Sequence, residues 1–301
     1  MNVIDSIVTQ AASIAAVRRD IHAHPELCFE EVRTADVVAQ KLTEWGIPIH
    51  RGLGKTGVVG IVKGRDGGAS GRAIGLRADM DALPMQEFNT FAHASKHQGK
   101  MHACGHDGHV TMLLGAAKYL AETRNFDGAV AVVFQPAEEG GAGAQRMIED
   151  GLFERYPVDA VFAMHNWPGL KEGEFAAHTG AVMASSNEFS IEIQAKGAHA
   201  AMPDLGIDPV VIAAQLIQAF QTIVSRSCKP VEPAVLSVTQ VQAGEAINVI
   251  PDKATLQGTV RTFSIETLDL IEHQMRKLST ELCAAFGAKA QMTFERKYPP
   301  T

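Results

Sequence analysis

Five of the chain's twelve histidines fall between His93 and His109, and the centre of that cluster reads Met101-His102-Ala103-Cys104-Gly105-His106-Asp107-Gly108-His109. A thiolate and an imidazole two positions apart in a glycine-containing loop can reach one soft or borderline ion, and such ligands suit zinc. Taken alone, the segment reads equally well as a histidine-rich helix entry around a buried structural cysteine. Two other places add carboxylates and imidazole. The apolar run Ala129 to Phe134 breaks at Gln135-Pro136-Ala137 and presents the adjacent Glu138 and Glu139, and the run Ala160 to Met164 ends in His165. A third stretch, Leu76-Arg77-Ala78-Asp79-Met80-Asp81, brings two further carboxylates. Each has a bland reading as a solvated turn, a core histidine or a pair of turn formers. Together they supply what hydrolysis at a metal needs: protein ligands, an open position for water and a base that is not itself a ligand. Glu139 as ligand and Glu138 as general base divides that labour, with Glu138 later handing the proton to a leaving nitrogen.

The elements that must deliver these residues alternate. Ile4 to Ile21 and Thr34 to Trp45 have helical apolar spacing, the second stopped by Gly46 and Pro48. Gly57 to Val62, Ala73 to Leu76, Ala129 to Phe134 and Ala160 to Met164 are nearly continuous apolar runs, the pattern of strands covered on both faces. His109 to Thr123 and Ala142 to Glu149 fill the gaps as helices. In open α/β sheets ligands gather outside the carboxyl ends of strands, so the three strand ends converge without being close in sequence. The pattern changes after about Gly180. Glu188 to Ala195 alternates as a half-solvated strand. Helix Asp208 to Ser225 opens on Asp208-Pro209, and Ala234 to Gln242 and Lys253 to Arg261 follow as strands. Ile265 to Phe286 is a helix and Ala288 to Glu295 a last strand. That β-α-β-β-α-β order is the ferredoxin-like split unit. The expected architecture is thus an α/β sheet domain with helices on both faces over residues 1–181, an inserted α+β domain over 182–296, and 297–301 turning back towards the first.

The bulk properties narrow the function classes. The 301 residues carry a formal net charge of -7, which gives no clustered basic face for nucleic acid or an anionic membrane. No apolar run is long enough to span a bilayer, and the first twenty residues lack the basic start of a secretory signal. The four cysteines are scattered without Cys-x-x-Cys pairing, as suits a reducing compartment. A soluble cytoplasmic enzyme is the expectation.

With these residues in view, the sequence resembles the metal-dependent amidohydrolases that include hippurate hydrolase, N-acyl amino acid deacetylases and auxin-conjugate hydrolases, relatives of aminoacylase and of zinc carboxypeptidases with a lid domain. The likeness runs through Arg18-Arg19-Asp20-Ile21-His22-Ala23-His24-Pro25-Glu26, Leu76 to Pro84, Met101 to His109, Gln135 to Gly140, Met164-His165-Asn166, Gly197 to Pro203 and Asn248-Val249-Ile250-Pro251-Asp252. The resemblance implies a catalytic α/β domain with an inserted dimerisation lid. It also implies Cys104, His106, Glu139 and His165 as ligands of one or two divalent ions, among zinc, manganese, cobalt and nickel, with Glu138 as base. Asp79 stands where the wider family has a ligand histidine, and Cys104 where it has a bridging aspartate, which marks the hippurate-hydrolase branch and speaks against a di- or carboxypeptidase. Asp81 is expected to orient a ligand such as His106, while His102 and His109 stay unassigned.

In the lid, the same resemblance implies that His199 reaches a partner subunit's site to stabilise an oxyanion, and that Asn248 and Arg261 hold the substrate carboxylate. Arg18 to Glu26 is expected to cap and turn the first helix. The family carries one more ligand histidine beyond the lid, which this sequence does not include. The expected activity is hydrolysis of N-acyl amino acids to a carboxylic acid and a free amino acid by a homodimer. The rival is a shortened homologue that dimerises or binds metal weakly without turnover.

Overall fold

The computed structural model describes residues 4–301. The chain divides into two compact units, one ending at Glu174 and the other running from Phe175 to Thr301. In the first, helices α1 (Asp5–Ala23) and α2 (Val32–Glu44) precede strands β1 (Ile49–Leu53), β2 (Gly57–Lys63) and β3 (Ala73–Asp79). Helix α3 (His106–Thr123), strand β4 (Ala129–Gln135), helices α4 (Gly143–Glu149) and α5 (Leu152–Arg155) and strand β5 (Ala160–Ala163) complete it.

The five strands form one mixed sheet in the order β1-β2-β4-β3-β5. β3 runs parallel to both β4 and β5, whereas β2 is antiparallel to its neighbours β1 and β4. The continuous apolar runs have the expected cause. Along β4, Val130, Val132 and Phe134 pack with α1, α2 and α3 on one face, while Ala131 and Val133 pack with Met147 and Leu152 of α4 and α5 on the other. Successive side chains of a strand point to opposite faces, so a strand sandwiched between helix layers must be apolar throughout. β5 departs from that expectation: it lies at the sheet edge beyond β3, and all four of its residues are exposed, Phe162 by 57%.

Arg18 to Glu26 holds the end of α1, as expected: the helix stops at Ala23, and His24 caps it by donating its N–H to the Ile21 carbonyl at 2.9 Å. Glu26 also accepts the backbone N–H groups of Arg33 and Thr34 at 2.9 and 2.8 Å, satisfying free donors in the first turn of α2. Arg18 and His22 reach across to Asp107 on α3, each at 3.0 Å.

The second unit contains β6 (Ser186–Gln194), β7 (Ala198–His199), α6 (Pro209–Thr222) continued by a π-helical turn at Ile223–Ser227, and β8 (Ala234–Ala243). β9 (Val249–Ile250), β10 (Lys253–Thr262), α7 (Ile265–Ala285) and β11 (Lys289–Tyr298) follow. The long strands make an antiparallel sheet in the order β11-β6-β10-β8, the ferredoxin-like arrangement. Phe189, Ile191 and Ile193 alternate inward along β6 against Ile212, Leu216 and Phe220 of α6 and Ile271 and Met275 of α7. Asp208 caps α6 by accepting from the N–H of Val210, with Pro209 at the first helical position. β1, β7 and β9 are strands that the apolar pattern does not mark. The short pair β7 and β9 sets His199 opposite Val249.

Candidate metal centre

Three parallel strands ending at one edge of the first sheet set the geometry. β3 delivers Asp79 and Asp81, β4 is followed by Glu138 and Glu139, and β5 by His165. The fourth contributor is the start of α3. The apolar pattern starts this helix at His109, but it begins at His106, preceded by Gly105 at φ +90°. That left-handed turn suits glycine, and a Cβ there would collide with the Asn166 side chain. The longer helix puts His106 and His109 one turn apart, and their rings lie 5.3 Å apart.

His106 is fully buried and sits at the middle of the cluster. Its Nδ1 lies 3.4 Å from Asp81 Oδ1. Its Nε2 faces Asp79 at 3.7 Å, Glu139 at 3.8 Å and Glu138 at 3.9 Å, with no hydrogen bond to any of them. Glu139 Oε1 is likewise buried without a hydrogen-bond partner. Two buried atoms without hydrogen bonds, each able to offer a lone pair and 3.8 Å apart, are polar groups that a cation between them would satisfy. Burial disfavours the charged imidazole, but Asp81, Cys104 and Asp79 outweigh it and raise the His106 pKa to about 11. A cation bound there would take the place of that proton.

Cys104 and His165 complete the set. Cys104 Sγ lies 3.4 Å from His165 Nε2, while His165 Nδ1 donates to the backbone oxygen of Asn166 at 2.6 Å. That bond fixes the proton on Nδ1 and leaves the Nε2 lone pair facing the thiol. Cys104, His106 and His165 form one group whose donor atoms lie within 4.8 Å of one another, and His106, Glu138 and Glu139 form another. The donor types suit a divalent cation.

In a third such group, Asp79, His106 and His109, the Asp79 and His109 side chains are otherwise engaged. His109 Nδ1 contacts Asp79 Oδ1 at 2.6 Å, and its Nε2 meets the backbone N–H and the side-chain amide of Asn166. Asp79 also takes Arg77 Nη1 at 2.7 Å. Burial works against its charge, yet His109, Arg77 and His106 hold its carboxyl well below the usual range. His109 therefore ties the end of β3 to the segment after β5.

Glu138 and Glu139 are held from beneath. Their backbone N–H groups donate to Asp81 Oδ1 and Oδ2 at 3.0 and 2.8 Å. Burial, with Glu139 and Asp79 close by, pushes the Glu138 pKa up, the direction a general base needs. Sequence reasoning missed Cys28, whose thiol donates to Asp81 Oδ2 at 3.2 Å. Burial and the Asp81 charge raise that thiol to about 12, so it is a neutral donor and not a thiolate. His102 is buried with neither ring nitrogen hydrogen-bonded, and burial drives its pKa down to about 4.

In the second unit, β7 sets His199 opposite Val249 of β9, and Ala200 N–H donates to the Asn248 carbonyl at 3.0 Å; His199 and Asn248 are both exposed. His199 Nδ1 accepts from the N–H of Ala201 at 3.1 Å, which places the ring proton on Nε2 as an outward donor. Arg261 stands apart on β10, its Nη1 donating to Thr259 Oγ1 at 2.6 Å.

Comparison with known proteins places this geometry in context. Residues 75–273 match the model of peptidase family M20/M25/M40. The chain is 48% identical to the hippurate hydrolase of Campylobacter jejuni over 95% of its own length and 73% of the relative's. It is 43% identical to an N-acetyl-L-cysteine deacetylase of Bacillus subtilis over 98% of its own length and 70% of the relative's. A Bacillus subtilis structure described as a dinuclear metal binding peptidase superposes with a TM-score of 0.84 at 39% identity, covering 98% of this chain and 76% of that one. A family match over most of the chain, near-complete coverage by relatives of this identity and a shared fold establish that the chain belongs to peptidase family M20/M25/M40.

Proposed function

We propose that the chain hydrolyses the amide bond of N-acyl amino acids, releasing a carboxylic acid and a free amino acid. Cys104, His106, Glu139 and His165 hold a divalent ion, zinc being the best match to the thiolate, and Glu138 is the general base. The observation that carries this reading is the pair of buried, unpartnered atoms His106 Nε2 and Glu139 Oε1 beside a carboxylate with raised proton affinity. When bound, the ion would polarise the amide carbonyl and make water more acidic. Glu138 takes the proton of the attacking water and returns it to the leaving nitrogen. Asp81 keeps both glutamates and the His106 ring in place. The hippurate hydrolase and deacetylase relatives act on substrates of this class, as their names state.

The lid reading is part of the same proposal. The protein is a homodimer through its second unit, and His199 of one subunit donates Nε2–H to the oxyanion formed in the other. Asn248 and Arg261 bind the substrate carboxylate. The setting is cytoplasmic. No described helix is long and apolar enough to cross a membrane.

The test is metal content together with hydrolysis of hippurate, N-acetylcysteine and a dipeptide, measured on this chain and on any longer product of its gene. Release of free amino acid from the N-acyl substrates, dependent on added metal, is the expected result. Preference for the dipeptide would favour a peptidase, the description carried by the Bacillus subtilis structure. Metal binding without any turnover would overturn the enzymatic reading in favour of a non-catalytic homologue.

A further inference from the structure

Three consecutive backbone N–H groups lead into the glutamate pair, and each ends on a buried carboxylate. Those of Glu138 and Glu139 go to Asp81. That of Ala137 goes to Glu31 Oε1 at 2.8 Å. Glu31 is completely buried, and nothing in the reaction outlined above uses it. The same Oε1 accepts the N–H of Phe29 at 3.0 Å, while Oε2 accepts the Thr56 hydroxyl at 2.6 Å.

The two residues whose N–H groups share Glu31 Oε1 have an unusual backbone. Phe29 has φ +62° and Ala137 φ +51°, both in the left-handed region and neither a glycine. A side chain disfavours that region, so the surroundings must hold it. At Ala137 they do so on every side. The Ala137 carbonyl accepts from Gly143 N–H at 3.0 Å, and a Cβ on Gly141 would stand 2.6 Å from the Ala137 methyl and 3.0 Å from the Phe29 ring. The left-handed turn at Ala137 decides in which direction Glu138 and Glu139 leave β4.

We propose that Glu31 is a positioning residue for the Glu138 and Glu139 pair: its buried carboxylate locks the left-handed turn at Ala137 and thereby aims the base and the metal-ligating glutamate. A carboxylate is suited to this because one oxygen can receive both N–H groups while the other meets Thr56. Removing it strands two buried donors, and a buried donor without a partner is costly. Glutamine keeps the arrangement, since its carbonyl can accept both N–H groups and its amide can donate to the Thr56 oxygen.

The experiment compares Glu31→Gln, Glu31→Leu and the double variant Glu31→Leu/Ala137→Gly by three readouts. These are hydrogen exchange of the Ala137 amide in metal-free protein, affinity for zinc, and kcat and KM for hippurate. The kinetic readout rests on the hydrolytic reading; the exchange and zinc readouts do not, so an inert wild type would sink that reading and still leave this one decided. Glu31→Leu should speed exchange at Ala137, weaken zinc at least tenfold and lower kcat at least tenfold with little change in KM. Glu31→Gln should match wild type in all three. Glycine at position 137 removes the penalty on the left-handed turn, so the double variant should recover part of the zinc affinity. If Glu31→Leu does not fold, Glu31→Asp takes its place, because a side chain one methylene shorter cannot reach Thr56 and both N–H groups together. A folded Leu or Asp variant with wild-type zinc affinity overturns the proposal, as does a Gln variant as impaired as the Leu one.

Discussion

The Asp81 carboxylate lies 3.4 Å from Nδ1 of His106, on the side of the ring away from Nε2, the nitrogen that faces Glu139. The same carboxylate receives the N–H groups of Glu138 and Glu139 and the thiol of Cys28. One buried anion thus contacts the His106 imidazole and holds the turn that carries Glu138 and Glu139. Burial alone would favour its protonated form, but the imidazole and the two N–H donors hold its pKa below the usual value. Asp81→Asn keeps the volume and turns one acceptor oxygen into a donor, which must then face an N–H group or the ring. Loss of partners of this kind typically costs ~10–100-fold in metal affinity. Zinc titration of the folded variant should show a loss of that order; unchanged affinity would leave Asp81 without an orienting role.

Glu138→Gln tests the base. Glutamine preserves shape but cannot accept a proton from water, so kcat should fall by ~10²–10⁴-fold, the usual contribution of a positioned general base. Zinc stoichiometry should stay at the wild-type value, because the ligands Cys104, His106, Glu139 and His165 are untouched. An active Glu138→Gln protein would remove this residue as base.

How far the sequence reveals this centre depends on how each residue is brought in. Asp79, Glu138, Glu139 and His165 are readable because an apolar run that suddenly stops at polar residues marks a strand end, and parallel strands end together. His106 and Cys104 are readable from their spacing. Cys28 and Glu31 are not, since they act on Asp81 and Ala137 across 53 and 106 residues of chain, and no local pattern records such a contact. The extra turn of α3 is hidden by Gly105, His106 and Asp107, whose polar or flexible character reads as loop. β1 is missed because Ile49-His50-Arg51-Gly52-Leu53 has too few apolar residues, and β7 and β9 because two residues have no period. Arg18 to Glu26 is the helix end that it looks like, but the contacts of its charges with α2 and α3 leave no local pattern.

Glu31 also gives a pH-dependent stability. Burial is the largest influence on it and raises its pKa above 4.5, against the lowering effect of Thr56 and the two N–H groups. For a carboxyl raised on folding, the folded state binds more protons than the unfolded one between the two pKa values, so stability falls as pH rises through that window. The loss is absent below about pH 4.5 and complete above the folded pKa. Glu31→Gln cannot ionise and escapes it. The variant should therefore melt at a higher temperature than wild type at pH 7, with the gain shrinking as the pH approaches 4. A gain that does not change with pH would show that Glu31 carries no such penalty.

The shared site makes a prediction that no single-subunit mechanism shares. If His199 serves the neighbouring subunit, Glu138→Gln and His199→Ala should each be nearly inactive as homodimers, one lacking the base and the other the oxyanion donor. Co-folding them produces heterodimers in which one site has both defects and the other has neither, since it combines Glu138 of the His199→Ala subunit with His199 of the Glu138→Gln subunit. Activity should reappear in the mixture, approaching a quarter of wild type per subunit at equal amounts if pairing is random and each intact site works independently. Sedimentation of the same sample should give the mass of a dimer. A strictly monomeric protein, or a mixture no more active than its components, would confine His199 to a role within the lid.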